Sequence, residues 1–254
     1  MTTLPVHRGV RIRSAIRGGS SWPLVVETEA GRFVTKLRGA AQGILPLIAE
    51  IVVAELATAL GLPVPARAVV ILDEDVPSDD RNDELADLIG RSHGENLGFR
   101  FLDGAADASA ALLDSVSPEL AAEVLWLDGL VMNPDRTPRN PNVLFWHGAP
   151  WLIDHGAALA FQYDFAAVTE DSPRQPAFDA TEHLFAKRVG MLSDVDRTCA
   201  HAVSRAVLRA AAGAIPEDFL ATAFAGEDSA RVREAYVAFL WKRLKAPRPF
   251  VTAA

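Results

Sequence analysis

The sequence predicts an α+β fold, with a small antiparallel sheet and one helix in the amino-terminal part and a mostly helical remainder. Short apolar runs alternate with Gly- and Pro-containing turns as far as Leu37. A single stretch of helical periodicity follows, and beyond Leu102 the chain turns alanine-rich and helical apart from one hairpin.

His7 to Ile16 reads as a strand, Arg17 to Pro23 as a turn, Leu24 to Thr28 as a second strand, and Arg32 to Leu37 as a third after Glu29-Ala30-Gly31. From Ile44 to Leu60 the residues Leu47, Ile48, Ile51, Val52, Leu56, Ala59 and Leu60 recur at helical spacing, ended by Gly61 and Pro63. Ala66 to Leu72 reads as a buried strand. The acidic stretch Asp73 to Asp87 is expected at the surface as a loop with a short helix. Leu97 to Leu102 follows as a strand. Asp103-Gly104 then reads as a hinge, with the backbone of Phe101 and Leu102 beside it suited to an adenine edge.

Ser117-Pro118 combines an N-cap with a proline at the first helical position, and the helix runs on to Met132. Val143 to Trp146 and Trp151 to Ile153 flank a His147-Gly148 turn and read as paired strands. Three further helices are expected, about 179–189, 193–212 and 228–246, with an extended tail after Pro247 and Pro249.

Half of the 254 residues are hydrophobic, enough for one large domain or two lobes. The amino terminus has no apolar run resembling a signal peptide, and the most apolar helix is interrupted by Glu50 and Glu55, so a cytoplasmic chain without a membrane span is expected. A single cysteine, Cys199, excludes an intrachain disulfide and a multi-thiolate zinc site, and is expected buried on a helix. The net charge of −8 argues against a nucleic-acid partner bound through a broad basic surface. Of the 25 basic residues only Lys36, Lys187, Lys242 and Lys245 are lysines, which makes Lys36 conspicuous as a point charge.

The most specific stretch is Asn133-Pro134-Asp135-Arg136-Thr137-Pro138-Arg139-Asn140-Pro141-Asn142, followed by the hairpin and Asp154-His155-Gly156. Phosphoryl transfer needs a carboxylate at the acceptor hydroxyl, an amide oxygen on a metal, and a second carboxylate bridging metal and phosphates. Asp135, Asn140 and Asp154 supply these groups in that order, and the five-residue step from Asp135 to Asn140 is the spacing of a protein-kinase catalytic loop. Lys36 on the third strand and Glu50 on the helix fit the ion pair that orients a lysine toward the α- and β-phosphates. The turn at Gly18, Gly19, Ser20 and Ser21 would let backbone N–H groups approach phosphate oxygens. Each of these features has a plain reading as well. Asn, Pro and Asp make turns, Gly-Gly and Ser are ordinary in hairpins, and Glu50 and Glu55 fit solvated helix positions. The weight lies in their agreement and chain order.

With Gly19, Lys36, Glu50, Asp135, Asn140 and Asp154 in this order, the chain resembles the HipA-like serine/threonine kinases, in particular their short stand-alone members. Most of the chain takes part. Gly31-Arg32-Phe33-Val34-Thr35-Lys36, Glu50 with Leu56-Ala57, Gly61-Leu62-Pro63-Val64-Pro65, the Asn133 to Asn142 loop and Leu152-Ile153-Asp154-His155-Gly156 carry it. The resemblance implies a two-lobed protein-kinase-like fold, with an N-lobe over 1–102 and a C-lobe over 103–254. It further implies ATP and Mg2+ as cofactors, and transfer of the γ-phosphoryl group to a hydroxyl of a protein or small molecule. Asp135 would be the base, Asn140 and Asp154 the metal ligands, Lys36 the phosphate lysine and Glu50 its partner. The turn at 18–23 lacks the phosphorylatable Ser-x-x-Gly-x-Gln-x-Lys pattern of the toxin branch, and Thr137 replaces a histidine common in relatives. A toxin role, an antitoxin partner and an autophosphorylation switch are therefore not carried over. A nucleotide-binding module without useful turnover is the alternative from another class, although the full polar set favours activity. The chain has no His-Glu-x-x-His, Gly-x-Ser-x-Gly or Gly-x-x-x-x-Gly-Lys-Ser/Thr pattern, so metallohydrolase, serine-hydrolase and P-loop readings lack their defining residues.

Overall fold

The computed structural model describes residues 3–16 and 22–252. The chain has a mixed α/β fold. Strands β1 (Val6–Ala15), β2 (Leu24–Thr28) and β3 (Gly31–Lys36) lead to helix α1 (Leu45–Ala59), then β4 (Arg67–Leu72), α2 (Asp83–Gly90) and β5 (Gly94–Arg100). These five strands do not form the wholly antiparallel small sheet expected from sequence. They close into a barrel in the order β1-β2-β3-β5-β4, with β1 parallel to β4 over Val6–Arg8 and Val69–Ile71. Register shifts in β1 between Gly9 and Arg11 and between Ile12 and Ser14 allow this closure, because a bulge bends and twists the strand that carries it. One end of β1 therefore pairs with β2 while the other reaches β4.

The barrel encloses its own core of Ile12, Leu24, Val26, Phe33, Leu37, Ala68, Val70 and Leu72, stoppered by Leu85 from α2. Its outer face, through Val69, Leu97 and Phe99, belongs to a second and larger core shared with α1 and the helical part. Helix α1 is buried through Leu47–Val53, and Glu50 is fully enclosed with them. The helix thus fixes the barrel to the body of the molecule.

A short strand β6 (Ala106–Asp107) and helix α3 (Ala110–Asp114) precede α4 (Pro118–Val131). Ser117 caps α4 by accepting from the Leu120 N–H at 3.2 Å, and Met132 ends it in the left-handed region at φ 57°. Strands β7 (Val143–Trp146) and β8 (Ala149–Leu152) form a hairpin on His147-Gly148, both at positive φ as a two-residue type I′ turn requires.

The carboxy-terminal part contains α5 (Leu192–Ala202), α6 (Arg205–Gly213), α7 (Glu217–Ala223), α8 (Ser229–Leu244) and α9 (Pro249–Thr252). Three expectations are corrected here. The helix over 179–189 is replaced by 3-10 turns at Ala180–Glu182 and Ala186–Met191, because the His183 ring takes the Phe185 N–H at 3.0 Å in place of a helical carbonyl. The helix over 193–212 is split at Val203–Ser204, where Ser204 caps α6 by accepting from Val207. The tail after Pro247 is not extended: α9 folds back and buries Phe250 edge-on against Trp126, with centroids 5.4 Å apart. Cys199 is buried on α5 as expected, and burial pushes its thiol up to about 12. Among the described residues no helix is long and apolar enough to cross a membrane.

Candidate active site

Where the barrel meets the helical part, a cavity of about 540 Å³ is bordered by Lys36, Gln42, Asp135, Asn140, Asp154 and Tyr163, among others. Lys36 is the last residue of β3, and its ammonium lies between the carboxylates of Glu50 and Asp154. The distance to Asp154 Oδ1 is 2.6 Å, and Glu50 Oε1 is in direct hydrogen-bond contact. The second Glu50 oxygen accepts the His155 main-chain N–H at 2.9 Å. Helix α1, strand β3 and the Asp154-His155-Gly156 segment are therefore joined through one buried carboxylate. Gly156 permits the approach, since a Cβ there would stand 3.1 Å from Pro46 of α1.

The charges follow from burial. Desolvation would lower the Lys36 pKa, but the charges of Glu50 and Asp154 raise it, so the ammonium is retained. Full enclosure pushes the Glu50 carboxyl upward, with Lys36 pulling it down and Asp154 adding to the rise. Burial also opposes ionisation of Asp154, but the Lys36 charge and hydrogen bond outweigh it and hold that carboxyl below its ordinary range. Asp154 keeps 48% of its side chain exposed, toward the cavity.

Asp135 and Asn140 stand on the loop between α4 and β7. Asp135 Oδ2 accepts from Asn140 Nδ2 at 2.9 Å and from Asn142 Nδ2 at 3.0 Å, and its main-chain N–H donates to Asn133 at 3.1 Å. The loop rests on a buried polar cluster. Asp128 of α4 accepts from Arg136 Nε at 2.6 Å, from His183 Nε2 at 2.9 Å and from Asn133 Nδ2 at 2.9 Å. Arg136 continues to the Asn142 carbonyl and to His155 Nδ1, the latter at 3.1 Å. Burial would raise the Asp128 pKa, but the Arg136 charge and the His183 hydrogen bond hold it far below the usual carboxylate range.

Lys36, Glu50, Asp135, Asn140 and Asp154 are thus brought together around one cavity. Phe101 and Leu102 do not border it. Phe101 continues the β3–β5 pairing by donating its N–H to Arg32 at 3.0 Å, and the Leu102 carbonyl accepts from Ala105 at 3.1 Å. That amide is spent within the chain, whereas the Leu102 carbonyl has one of its two lone pairs in use. Gly18, Gly19, Ser20 and Ser21 lie outside the described residues. The sequence alone does not mark Asn142, Arg136 and Asp128 as parts of the site. The signal for Asn142 was the hairpin register: Val143 pairs with Leu152 and the Ile153 N–H donates to the Asn142 carbonyl, which sets Asn142 beside Asp154.

Asn140 and Asp154, which both carry side-chain oxygens, border the cavity. They suit magnesium, which takes one or two protein oxygens and completes its shell with phosphate and water. Among the described residues no group of three or more His, Cys, Asp or Glu forms an all-protein metal cage. The set fits a metal brought with a nucleotide.

The model of one family, the HipA-like kinases, matches residues 10–245. The chain belongs to that family. As a HipA-like kinase it is a phosphotransferase, and its fold is similar to that of the Helicobacter pylori proinflammatory kinase CtkA. The TM-score is 0.56 at 12% identity, over 95% of this chain and 98% of that one. No curated protein matches the sequence.

Proposed function

We propose that this HipA-like kinase transfers the γ-phosphoryl group of Mg-ATP to a hydroxyl, a serine or threonine of a protein. The reading rests on one observation. The Lys36–Glu50–Asp154 cluster and the Asp135–Asn140 pair border the same cavity, whose size is within the range of small-molecule sites. In this reading residues 1–102 and 103–254 act as the two lobes of a kinase.

Asp135 holds the acceptor hydroxyl and takes its proton as the oxygen bonds to the γ-phosphorus. The bond from that phosphorus to the β–γ bridging oxygen breaks, and ADP leaves with the electron pair. Lys36, kept charged by Glu50, binds the α- and β-phosphates. Asn140 and Asp154 would hold magnesium, which when bound neutralises charge on the phosphate oxygens. Half-exposed Tyr163 and exposed Asn140 put the rim within reach of a residue on another protein's surface.

The test is incubation of the purified chain with γ-labelled Mg-ATP, following label into proteins, small molecules and free phosphate, with Asp135→Ala as control. Transfer is expected to fall about 10²–10⁴-fold in the variant. Label appearing only in small molecules would replace the protein acceptor. Equal turnover in the variant would remove Asp135 from the role of base.

A further inference from the structure

Asp135 has a second restraint that the Asp-to-Asn spacing does not predict. Both Asn140 Nδ2 and Asn142 Nδ2 donate to the same oxygen, Oδ2, at 2.9 and 3.0 Å, and both amides also reach the Asp135 carbonyl at 3.4 Å. Two donors fill the in-plane lone pairs of one carboxylate oxygen. Among the described residues no side-chain or main-chain donor reaches Oδ1. The two oxygens of the carboxylate are therefore chemically different before any substrate arrives.

The donors differ too. Asn140 is exposed and borders the cavity, so its amide oxygen is available to a metal. Asn142 is buried, at 8% exposure, and does not border it. Its main chain is fixed on two sides, the carbonyl accepting from Arg136 Nη1 and from the Ile153 N–H at 3.1 Å. Its Nδ2 reaches the Asp154 carbonyl at 3.5 Å as well as Asp135. One amide therefore spans the loop that carries Asp135 and the segment that carries Asp154.

We propose that Asn142 is a positioning residue for phosphoryl transfer, holding Asp135 so that Oδ1 alone is presented to the acceptor hydroxyl and fixing it against Asp154. The proposal rests on the function stated above. Its chemistry is the value of orientation: a base held in a productive pose avoids the loss, on the order of 10²-fold, that accompanies a displacement of about 1 Å. Asn142 adopts φ 49°, a conformation that Asn, Asp and Gly accept more readily than other residues. Substitutions among these three therefore vary the side chain without forcing the backbone.

The experiment compares wild type with Asn142→Gly and Asn142→Asp. Asn142→Gly removes the donor and Asn142→Asp replaces it with an oxygen of the same shape. Asn142→Gly is expected to lower kcat about 10–100-fold, with KM for ATP within about threefold of wild type because the Lys36 and Asp154 side chains keep their own ion pair. Asn142→Asp is expected to be the worse of the two despite being isosteric, since it faces one carboxylate with another. A role confined to backbone conformation predicts wild-type kcat in Asn142→Gly, and that result overturns the proposal. A readout without turnover separates this from failure of the function itself: the Asp135 carboxyl carbon resonance in ¹³C-labelled protein is expected to move in Asn142→Gly. An unmoved resonance overturns the positioning of Asp135 whether or not the wild-type chain transfers label. A moved resonance in a chain that transfers nothing leaves the hydrogen bond standing and overturns its catalytic use.

Discussion

Lys36 and Glu50 form an ion pair in which the glutamate side chain is fully buried and the lysine side chain is 13% exposed. The pair ties β3 to α1, and α1 also belongs to the core of the helical part. A buried carboxylate with its cation removed is strongly destabilising, whereas removing both charges together often is not. Lys36→Met is therefore expected to destabilise by about 3–5 kcal/mol near neutral pH. Glu50 without its cation has a raised pKa, so the folded state can bind a proton that the unfolded state has lost. The deficit should shrink as pH falls toward about 4.5. The double variant Lys36→Met/Glu50→Gln should recover most of the stability in urea titrations and none of the phosphoryl transfer. Recovered activity would separate Lys36 from the phosphates.

Asp154→Ala is expected to act on nucleotide binding, since Asp154 is the half-exposed carboxylate of the cluster and faces the cavity. Calorimetry should show weaker ATP binding and a loss of its magnesium dependence. ATP affinity and metal dependence equal to wild type would remove Asp154 from the metal site.

His155 carries a pH dependence. Its Nδ1 faces an Arg136 N–H, which fixes the proton on Nε2, and that buried atom has no hydrogen-bond partner among the described residues. Burial first, then the Arg136 charge, push the imidazole down to about 3. Between about 6.5 and 3 the unfolded chain binds a proton that the folded chain refuses, so stability should rise with pH across that window and level off above it. His155→Gln can still accept from Arg136 but does not titrate. Urea midpoints measured from pH 4 to 7 should have a shallower pH slope in the variant, and equal slopes would show that His155 is not the group responsible.

These groups differ in how far the sequence exposes them. The fourteen-residue step from Lys36 to Glu50 and the five-residue step from Asp135 to Asn140 are local in the chain, so patterning and spacing reveal them. The β7–β8 hairpin was legible for the same reason, through its two-residue turn. Closure of the barrel was not, because the pairing of Val6–Arg8 with Val69–Ile71 joins segments with no turn between them to set a register. Asp128, Arg136 and His183 were hidden because their meaning is three-dimensional. An Asp inside an apolar helix is conspicuous, but its partners become visible only when 3-10 turns bring His183 back under the loop. The break at Ser204 is not legible in the sequence, where 193–212 reads as one continuous helix, and appears only with the Ser204 cap on α6.

Arg243 braces the carboxy end of α4, the helix that leads into the Asn133 to Asn142 loop. It is fully buried on α8, with no carboxylate partner among the described residues, and donates to the carbonyls of Gly129 at 2.9 Å and Leu130 at 3.0 Å, and to those of Pro173 at 3.2 Å and Gln175 at 2.8 Å. Gly129 and Leu130 are at the carboxy end of α4, where unpaired carbonyls and the helix dipole favour a cation. Burial pushes the guanidinium down to about 10, still protonated at neutral pH. Met132, the left-handed cap of that helix, leads directly into the Asn133 to Asn142 loop. Arg243→Met should leave several buried carbonyls without donors and destabilise by roughly 3 kcal/mol or more, measured by urea unfolding. Arg243→Lys should rescue little of this, because one ammonium cannot reproduce a planar fork that meets four carbonyls. If the lysine variant matched wild type in both midpoint and kcat, the charge alone would suffice and the fork geometry would not be what holds the end of α4.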